Sequence, residues 1–191
     1  YNLSPAKFIA DEAWDISWSE LDTLEKKCRE NNVDGVIAGY SEIRVEQMIL
    51  LCERLGLPSY ISLHQLEITR DKRLFKDECR KNDIPVINEY KSIDDVTHFP
   101  VIVKPICGSA SIGINKVYTL EEVEFLLGKF PNLIIQDYLD GIEIGVDAYV
   151  DMISKETVSI FAKEKIRLRS GETDKSKSYK SDKLFNLVIE L

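Results

Sequence analysis

Apolar positions along this chain change period several times, and each change marks an element. Leu21, Leu24 and Cys28 recur at helical spacing behind Ser19, a candidate N-cap with Asp22 three residues on, which predicts a helix ending near Asn31. Val33–Ala38 then reads as a strand, and Gly39-Tyr40-Ser41 opens a second helix through Val45, Met48, Ile49, Cys52 and Leu55. Gly56 takes the position just past its end and Pro58 blocks continuation. With Ser59–Ile61 as the next strand and His64–Ile68 as its exit, the β-α repetition suggests half of a parallel, doubly wound sheet. Tyr1–Asp15 shows no period.

Thr69 is the candidate cap of a helix that carries Leu74, Phe75 and Cys79 inward and stops at Asn82. Phe99 and Val101–Val103 form a buried strand, and Ile114–Tyr118 a second one. Thr119 with Glu122 then boxes the start of a helix whose face is Val123, Leu126 and Leu127 and whose end is Gly128 and Pro131. Leu133–Ile135 is another strand, so Phe99–Leu139 makes a strand, loop, strand, helix, strand unit of about forty residues, suited to act as a lid. Glu143–Asp151 and Thr157–Arg169 follow as long candidate strands, Ser170–Lys183 as a polar loop, and Leu184–Leu191 as an interrupted apolar run.

Composition narrows the class. A chain of 191 residues can bury a real core, and no apolar run approaches membrane-spanning length. With 25 basic against 33 acidic side chains, net −8, nucleic acid is a poor partner, so any anion site must be local. Cys28, Cys52, Cys79 and Cys107 form no CxxC pair, which fits reduced thiols in cytosol, and with only His64 and His98 available zinc would need an unusual ligand set.

Candidate chemistry concentrates in FPVIVKPICGSASIG, residues 99–113. The strand delivers Lys104, Pro105 stops the ladder, and Gly108, Ser109, Ala110, Ser111 and Gly113 allow backbone N–H groups to approach an anion. A plain glycine-rich hairpin with a lysine at its edge is the alternative. The loop joins two strands, and GxGxxG and GxxxxGK[ST] are both absent, so a dinucleotide fold and a P-loop are excluded. Asp71, Lys72 and Arg73 open a helix; cations there oppose its dipole, which fits either a compensating anion or a solvated helix end. Lys163, Lys165, Arg167 and Arg169 share one face of a strand by their period of two, as a basic surface or as an edge strand guarded by charge.

Three segments in order, TRDKRLFKDECRKNDIPV, FPVIVKPICGSASIGINKV and LIIQDYLDGIEIGVDAYVD, resemble the ATP-grasp superfamily, of the type of the carbamoyl phosphate synthetase large subunit and biotin carboxylase. The resemblance implies an α/β fold: a partial Rossmann-like domain over 1–68, then an ATP-grasp region over 69–191 with a lid at about 97–140 and the start of a C-terminal subdomain at about 141–191. It implies that Lys72 and Lys104 reach the phosphates, that Gly108–Gly113 closes over them, and that Gln136, Asp137, Tyr138 and Leu139 form the hinge against adenine. Asp137 stands where many members have Glu. Glu143 is expected on the ribose hydroxyls, and Lys163, Lys165, Arg167 and Arg169 toward the phosphate or acid-substrate cleft.

Such enzymes use ATP and magnesium to phosphorylate a carboxylate or bicarbonate, and an amine or other nucleophile attacks the acyl phosphate. The partners implied are ATP and a small carboxylate in the cytoplasm, without nucleic acid or membrane, and compatibly with a homo-oligomer. No acidic pair with an ExN strand precedes Leu191, so metal ligands are expected downstream of it. The chain then reads as an internal portion of a longer ligase, inactive by itself. A binding module of the same fold without chemistry is the alternative.

Overall fold

Helix ends and strand registers show how the predicted elements resolve. The computed structural model describes residues 5–39, 41–108, 111–169 and 171–190. Tyr40, Ser109, Ala110, Ser170 and Leu191, which enter the readings above, lie outside them. The chain divides into two units, Tyr1–Leu66 and Glu67–Leu191.

In the first unit α1 (Leu21–Glu30) and α2 (Glu42–Leu55) form where the helical spacing predicts them. The cap of α1 is Glu20 and not Ser19; the Glu20 side chain makes no cap bond and instead accepts from the Ser17 N–H at 3.0 Å. Gly56 closes α2 in the left-handed region at φ 70°, and the Leu57 N–H returns to the Cys52 carbonyl at 2.9 Å. Met48, Ile49, Cys52 and Leu66 form its core, and Val36, Ala38, Leu57 and Ile61 pack on it. The segments Val33–Ala38 and Ser59–Ile61, read as strands, pack Val36, Ala38 and Ile61 on this core, but no ladder forms between them, nor any parallel pairing among the described residues. Apolar alternation reports a buried face, whereas a ladder also needs a partner backbone in register. A hydrogen bond from the Tyr60 hydroxyl to the Ala38 carbonyl links the two segments instead. His64–Ile68 is not a strand exit but part of α3 (Leu63–Arg70), opened by a reciprocal box in which Ser62 N–H donates to Gln65 Oε1 at 2.9 Å and Gln65 N–H to Ser62 Oγ at 3.2 Å.

In the second unit α4 (Lys72–Lys81) is capped by Asp71, not Thr69: the Asp71 carboxylate accepts from the N–H groups of Arg73 and Leu74 at 2.7 and 3.1 Å. Thr69 belongs to α3. The inward stripe of α4 is Lys76 and Cys79, while Leu74 and Phe75 are 48% and 41% exposed, because the helix meets a polar cluster and not an apolar one. Strands β1 (Glu89–Tyr90), β2 (Val101–Pro105), β3 (Asn115–Val117) and β4 (Leu133–Asp137) form an antiparallel sheet in the order β1-β4-β2-β3. Helix α5 (Leu120–Lys129) runs through Gly128 and covers one face, where Tyr90, Val101, Val103, Val117, Val123 and Ile135 make the core.

The register places the alternate residues on the opposite face. Glu89 stands beside Gln136, Gln136 beside Ile102, Ile102 beside Lys116, and Lys104 beside Ile134. This second, antiparallel sheet-face is where the candidate chemistry gathers.

A further antiparallel sheet has the order β5-β6-β7, from β5 (Ile144–Val150), β6 (Thr157–Arg169) and β7 (Glu172–Tyr179). Two expectations change here. β6 is the central strand and not an edge, and the polar stretch read as a loop supplies β7. ETDKSKSY has no apolar alternation to announce a strand, yet its backbone completes the β6 ladder, as a polar outer strand can. The closing run is helix α6 (Asp182–Glu190). Among the described residues, no helix is long and apolar enough to cross a membrane.

Candidate functional site

The first turn of α4 brings cations to the root of the small-residue loop. Lys72 is the first residue of the helix; its own N–H donates to the Ile106 carbonyl at 3.2 Å, and its ammonium to the carbonyls of Ile106 and Gly108 at 3.1 and 3.2 Å. An ammonium has three donors, so one remains after these bonds. Gly108 sits at φ 131°, Ser111 at 57° and Gly113 at 75°, so the loop is built on backbone conformations that favour glycine. A small pocket there is lined by Lys72, Lys104, Cys107, Gly108, Ser111 and Ile112, among others.

One turn along α4 from Lys72, Lys76 is 7% exposed, which a lone ammonium does not tolerate. Its Nζ donates to Glu89 Oε2 and to Gln136 Oε1, both at 3.1 Å. Glu89 Oε1 also accepts from Arg73 Nε at 2.7 Å. Burial pushes the Glu89 carboxyl up, but the hydrogen bonds from Arg73 and Lys76 outweigh it and hold the group below the ordinary carboxylate range. These contacts partly offset the cations that oppose the helix dipole.

Lys104, on the same sheet-face, has no hydrogen-bond or ion-pair partner among the described residues. Burial, first, and the charges of Lys76 and Lys72 lower its pKa from the usual lysine value, while Glu89 pulls the other way. A half-buried, unpaired cation beside two others is a place that an anion would stabilise.

At the end of β4 the hinge residues part ways. Gln136 is buried on the cationic face. The Asp137 side chain turns to the α5 side, where Oδ1 lies 3.4 Å from His98 Nε2, and the His98 ring meets Tyr90 edge-on. The Tyr138 ring is stacked by Lys116, whose Nζ is 3.5 Å from the ring centroid, and Leu139 is 65% exposed.

The basic row of β6 is largely paired. Lys163 binds Asp147 at 2.7 Å, Lys165 binds Glu143 at 2.5 Å, and Arg167 pairs with Asp174. Irregularities between Lys165 and Leu168 break the strict period of two before Arg169, whose register partner is Glu172. Gly145 lies under the stems of Lys163 and Lys165. Among the described residues, no group of three or more His, Cys, Asp or Glu side chains could hold a metal ion.

Sequence reasoning placed Arg73 at the helix start without its partner Glu89, and passed over Lys76, Glu89 and Lys116. Lys76 was findable, since it continues the helical stripe of Lys72 at i+4. The others depend on strand register.

The sequence model of the ATP-grasp domain matches residues 69–191. A D-alanine–D-alanine ligase of Fusobacterium nucleatum subsp. nucleatum is 33% identical over 79 residues, which is 41% of this chain and 28% of the relative. The structure is similar to N5-carboxyaminoimidazole synthetase from Staphylococcus aureus complexed with ADP, at TM-score 0.73 and 17% identity over 97% of this chain and 52% of that one. It is also similar to the L-amino acid ligase from Bacillus licheniformis, at TM-score 0.65 and 18% identity, covering 92% and 45%. The chain therefore spans about a quarter to a half of the length of these relatives.

Proposed function

We propose, from the premise that this chain belongs to the ATP-grasp family, that residues 69–191 bind ATP for the activation of a carboxylate. The observation that carries this reading is the unpaired Lys104 ammonium on one sheet-face with Lys72 at the loop root and the hinge at the end of β4. In this reading Lys104 and Lys72 take the phosphates, the segment from Gly108 to Gly113 covers them, and the hinge backbone from Gln136 to Leu139 reads adenine. Glu143 takes the ribose hydroxyls when Lys165 yields one oxygen.

The reaction moves the terminal phosphoryl group from ATP to a carboxylate oxygen, leaving ADP. An amine nitrogen then attacks the acyl carbon, the C–N bond forms, the C–O bond to phosphate breaks, and the amine proton passes to solvent or a base. Catalysis of this type rests on placement and on charge neutralisation. The names of the D-alanine–D-alanine and L-amino acid ligases favour an amino acid as the carboxylate and an amine as the nucleophile. Bicarbonate activation of the carbamoyl phosphate synthetase type is the alternative within the same chemistry. Magnesium supplies charge neutralisation in such reactions, but the acidic side chains described do not form a site for it, and no step is assigned to it.

The test is a thermal melt with Mg-ATP and Mg-ADP against GTP and NAD. Ligand at about 100 times Kd adds roughly 2.7 kcal/mol, a rise of about 5–10 °C at this size. Adenine-specific shifts are expected; equal shifts with GTP and NAD, or none with ATP, overturn the reading. ATP binding without phosphoryl transfer to a carboxylate would instead assign a non-catalytic module.

A further inference from the structure

A charged groove between α4 and β1 has no part in the nucleotide reading. Its volume is about 610 Å³, and it is lined by Arg73, Asp77, Arg80, Glu89 and Lys91. Arg73, Asp77 and Arg80 follow one another at helical spacing and so share one face of α4. Tyr90 is buried in the core of the sheet, so Glu89 and Lys91 on either side of it leave the chain toward the opposite face.

Both carboxylates of the lining are already engaged. Glu89 Oε1 accepts from Arg73 Nε at 2.7 Å while its Oε2 accepts from Lys76 at 3.1 Å, and Asp77 Oδ1 accepts from Arg80 at 2.7 Å. The cations, by contrast, keep donors free. A guanidinium carries five N–H groups. Arg73 uses them on Glu89 and, at 3.4 Å, on the Leu133 carbonyl, and Arg80 on Asp77. The Lys91 ammonium has no partner among the described residues. Two guanidinium groups are thus held in place with donors to spare, which lowers the ordering cost of capturing a ligand. Three cations against two carboxylates leave the lining positive in a chain of net charge −8, so the surplus is local. What such a lining lacks is an acceptor of negative charge. Guanidinium forks match carboxylate and phosphate oxygens, and the volume suits a small organic molecule.

We propose that this groove is a second anion site, for a small molecule carrying carboxylate or phosphate groups. It is distinct from the face of Lys72 and Lys104, since Glu89 stands between them with one oxygen on Arg73 and the other on Lys76. The experiment is titration calorimetry of the 191-residue chain with citrate and with inorganic phosphate, without nucleotide and at constant ionic strength. At least one probe is expected to bind saturably. Arg80→Met combined with Lys91→Met should weaken it roughly tenfold or more, the weight of one charge-assisted hydrogen bond. The Arg80 and Asp77 pair is exposed and Lys91 is unpaired, so this variant should stay folded, which circular dichroism checks. Lys104→Met should keep the binding. So should Lys26→Met combined with Lys129→Met, which makes the same change in net charge at two exposed lysines outside the lining.

Saturable binding that is lost in the groove variant alone supports the site, and the tighter probe names the anionic group. No saturable binding of either probe overturns it. Binding lost in Lys104→Met and kept in the groove variant puts the anion on the other face and overturns it too, and equal loss in both double variants reduces it to diffuse attraction. Nucleotide is absent from the titration, so the outcome is independent of the ATP-binding reading.

Discussion

Replacing Lys104 by Met separates binding from stability, because the two effects have opposite signs. The substitution keeps most of the apolar stem and removes the charge. In the folded chain that charge is half-buried, lacks a partner among the described residues, and is opposed by Lys72 and Lys76. Its removal relieves desolvation and repulsion, so Lys104→Met should be as stable as wild type or more so by about 0.5–1 kcal/mol, a rise of roughly 1–4 °C in Tm. Nucleotide binding should fall in the same protein. A charge-assisted bond to phosphate contributes about 1.5–3 kcal/mol, which is a loss of roughly 10- to 150-fold in Kd.

The pH dependence gives an independent check. The folded pKa of Lys104 is lowered relative to the unfolded one, so between the two values the unfolded chain binds more protons. Wild-type stability should therefore gain an increment as pH rises from the lowered folded value toward the ordinary lysine value of about 10.4, and Lys104→Met should lack it. Circular dichroism melts across alkaline pH measure the first effect and titration calorimetry with Mg-ATP the second. A variant that melts more than about 4 °C below wild type, or that binds ATP within about threefold of it, would falsify the assignment of an unpaired anion-seeking cation.

Glu89→Gln removes the anion that compensates buried Lys76, so it should cost about 3 kcal/mol in urea denaturation. The wild-type contribution of Glu89 is present above the ordinary carboxylate pKa and is lost as pH falls through its lower folded value, so the variant should show a shallower acid limb; a cost below about 1 kcal/mol would contradict the pairing. Gly113→Ala places a Cβ 3.0 Å from Pro105 Cγ at φ +75°, whereas Gly56→Ala at φ +70° meets nothing within 4 Å. Urea midpoints should show costs of about 2 and 1 kcal/mol respectively, and the reverse order would exclude the loop geometry. Among the four cysteines, Cys28, Cys52 and Cys79 are buried, with burial pushing their thiols up, and Cys107 is exposed. A thiol-reactive chromophore should label one site rapidly in the native protein and four in denaturant. Mg-ATP should slow the native reaction, since Cys107 lines the pocket with Lys72 and Lys104; unchanged labelling at saturating ATP would place the phosphates elsewhere.

What could be read from the sequence was whatever is encoded locally. Gly56 after a helical stripe, Lys104 at a strand end and the run from Gly108 to Gly113 all carry their meaning within a few residues. The cap of α4 shows the limit of that locality: Thr69 and Asp71 are both chemically able to cap, and only the backbone conformation selects Asp71. β7 lies further out of reach, because its eight residues, polar but for Tyr179, become a strand only through the neighbouring backbone of β6. The pairing of Lys163 with Asp147 and of Lys165 with Glu143 is likewise a matter of register, since the spans of 16 and 22 positions have no local signature. Lys76 stood in plain view on the Lys72 face, but its burial depends on Glu89 and Gln136, which the fold brings from 13 and 60 positions away.

The three lysines of the site are not equivalent, and their existing contacts rank them as anion binders. Lys76 already holds a carboxylate and an amide oxygen, so giving it to a phosphate would strand the buried Glu89. Lys72 holds two loop carbonyls, and a phosphate that took it would have to compete with them or use its remaining donor, which ties anion binding to the conformation of the loop root. Lys104 exchanges nothing but water and gains relief from its neighbours' charge. An arriving polyphosphate should therefore be captured first at Lys104, with Lys72 engaged as the loop adjusts and Lys76 left in place on Glu89 and Gln136. The same order explains why Lys76 is buried deepest: the residue that must not move is the one whose charge is fully committed before any ligand arrives.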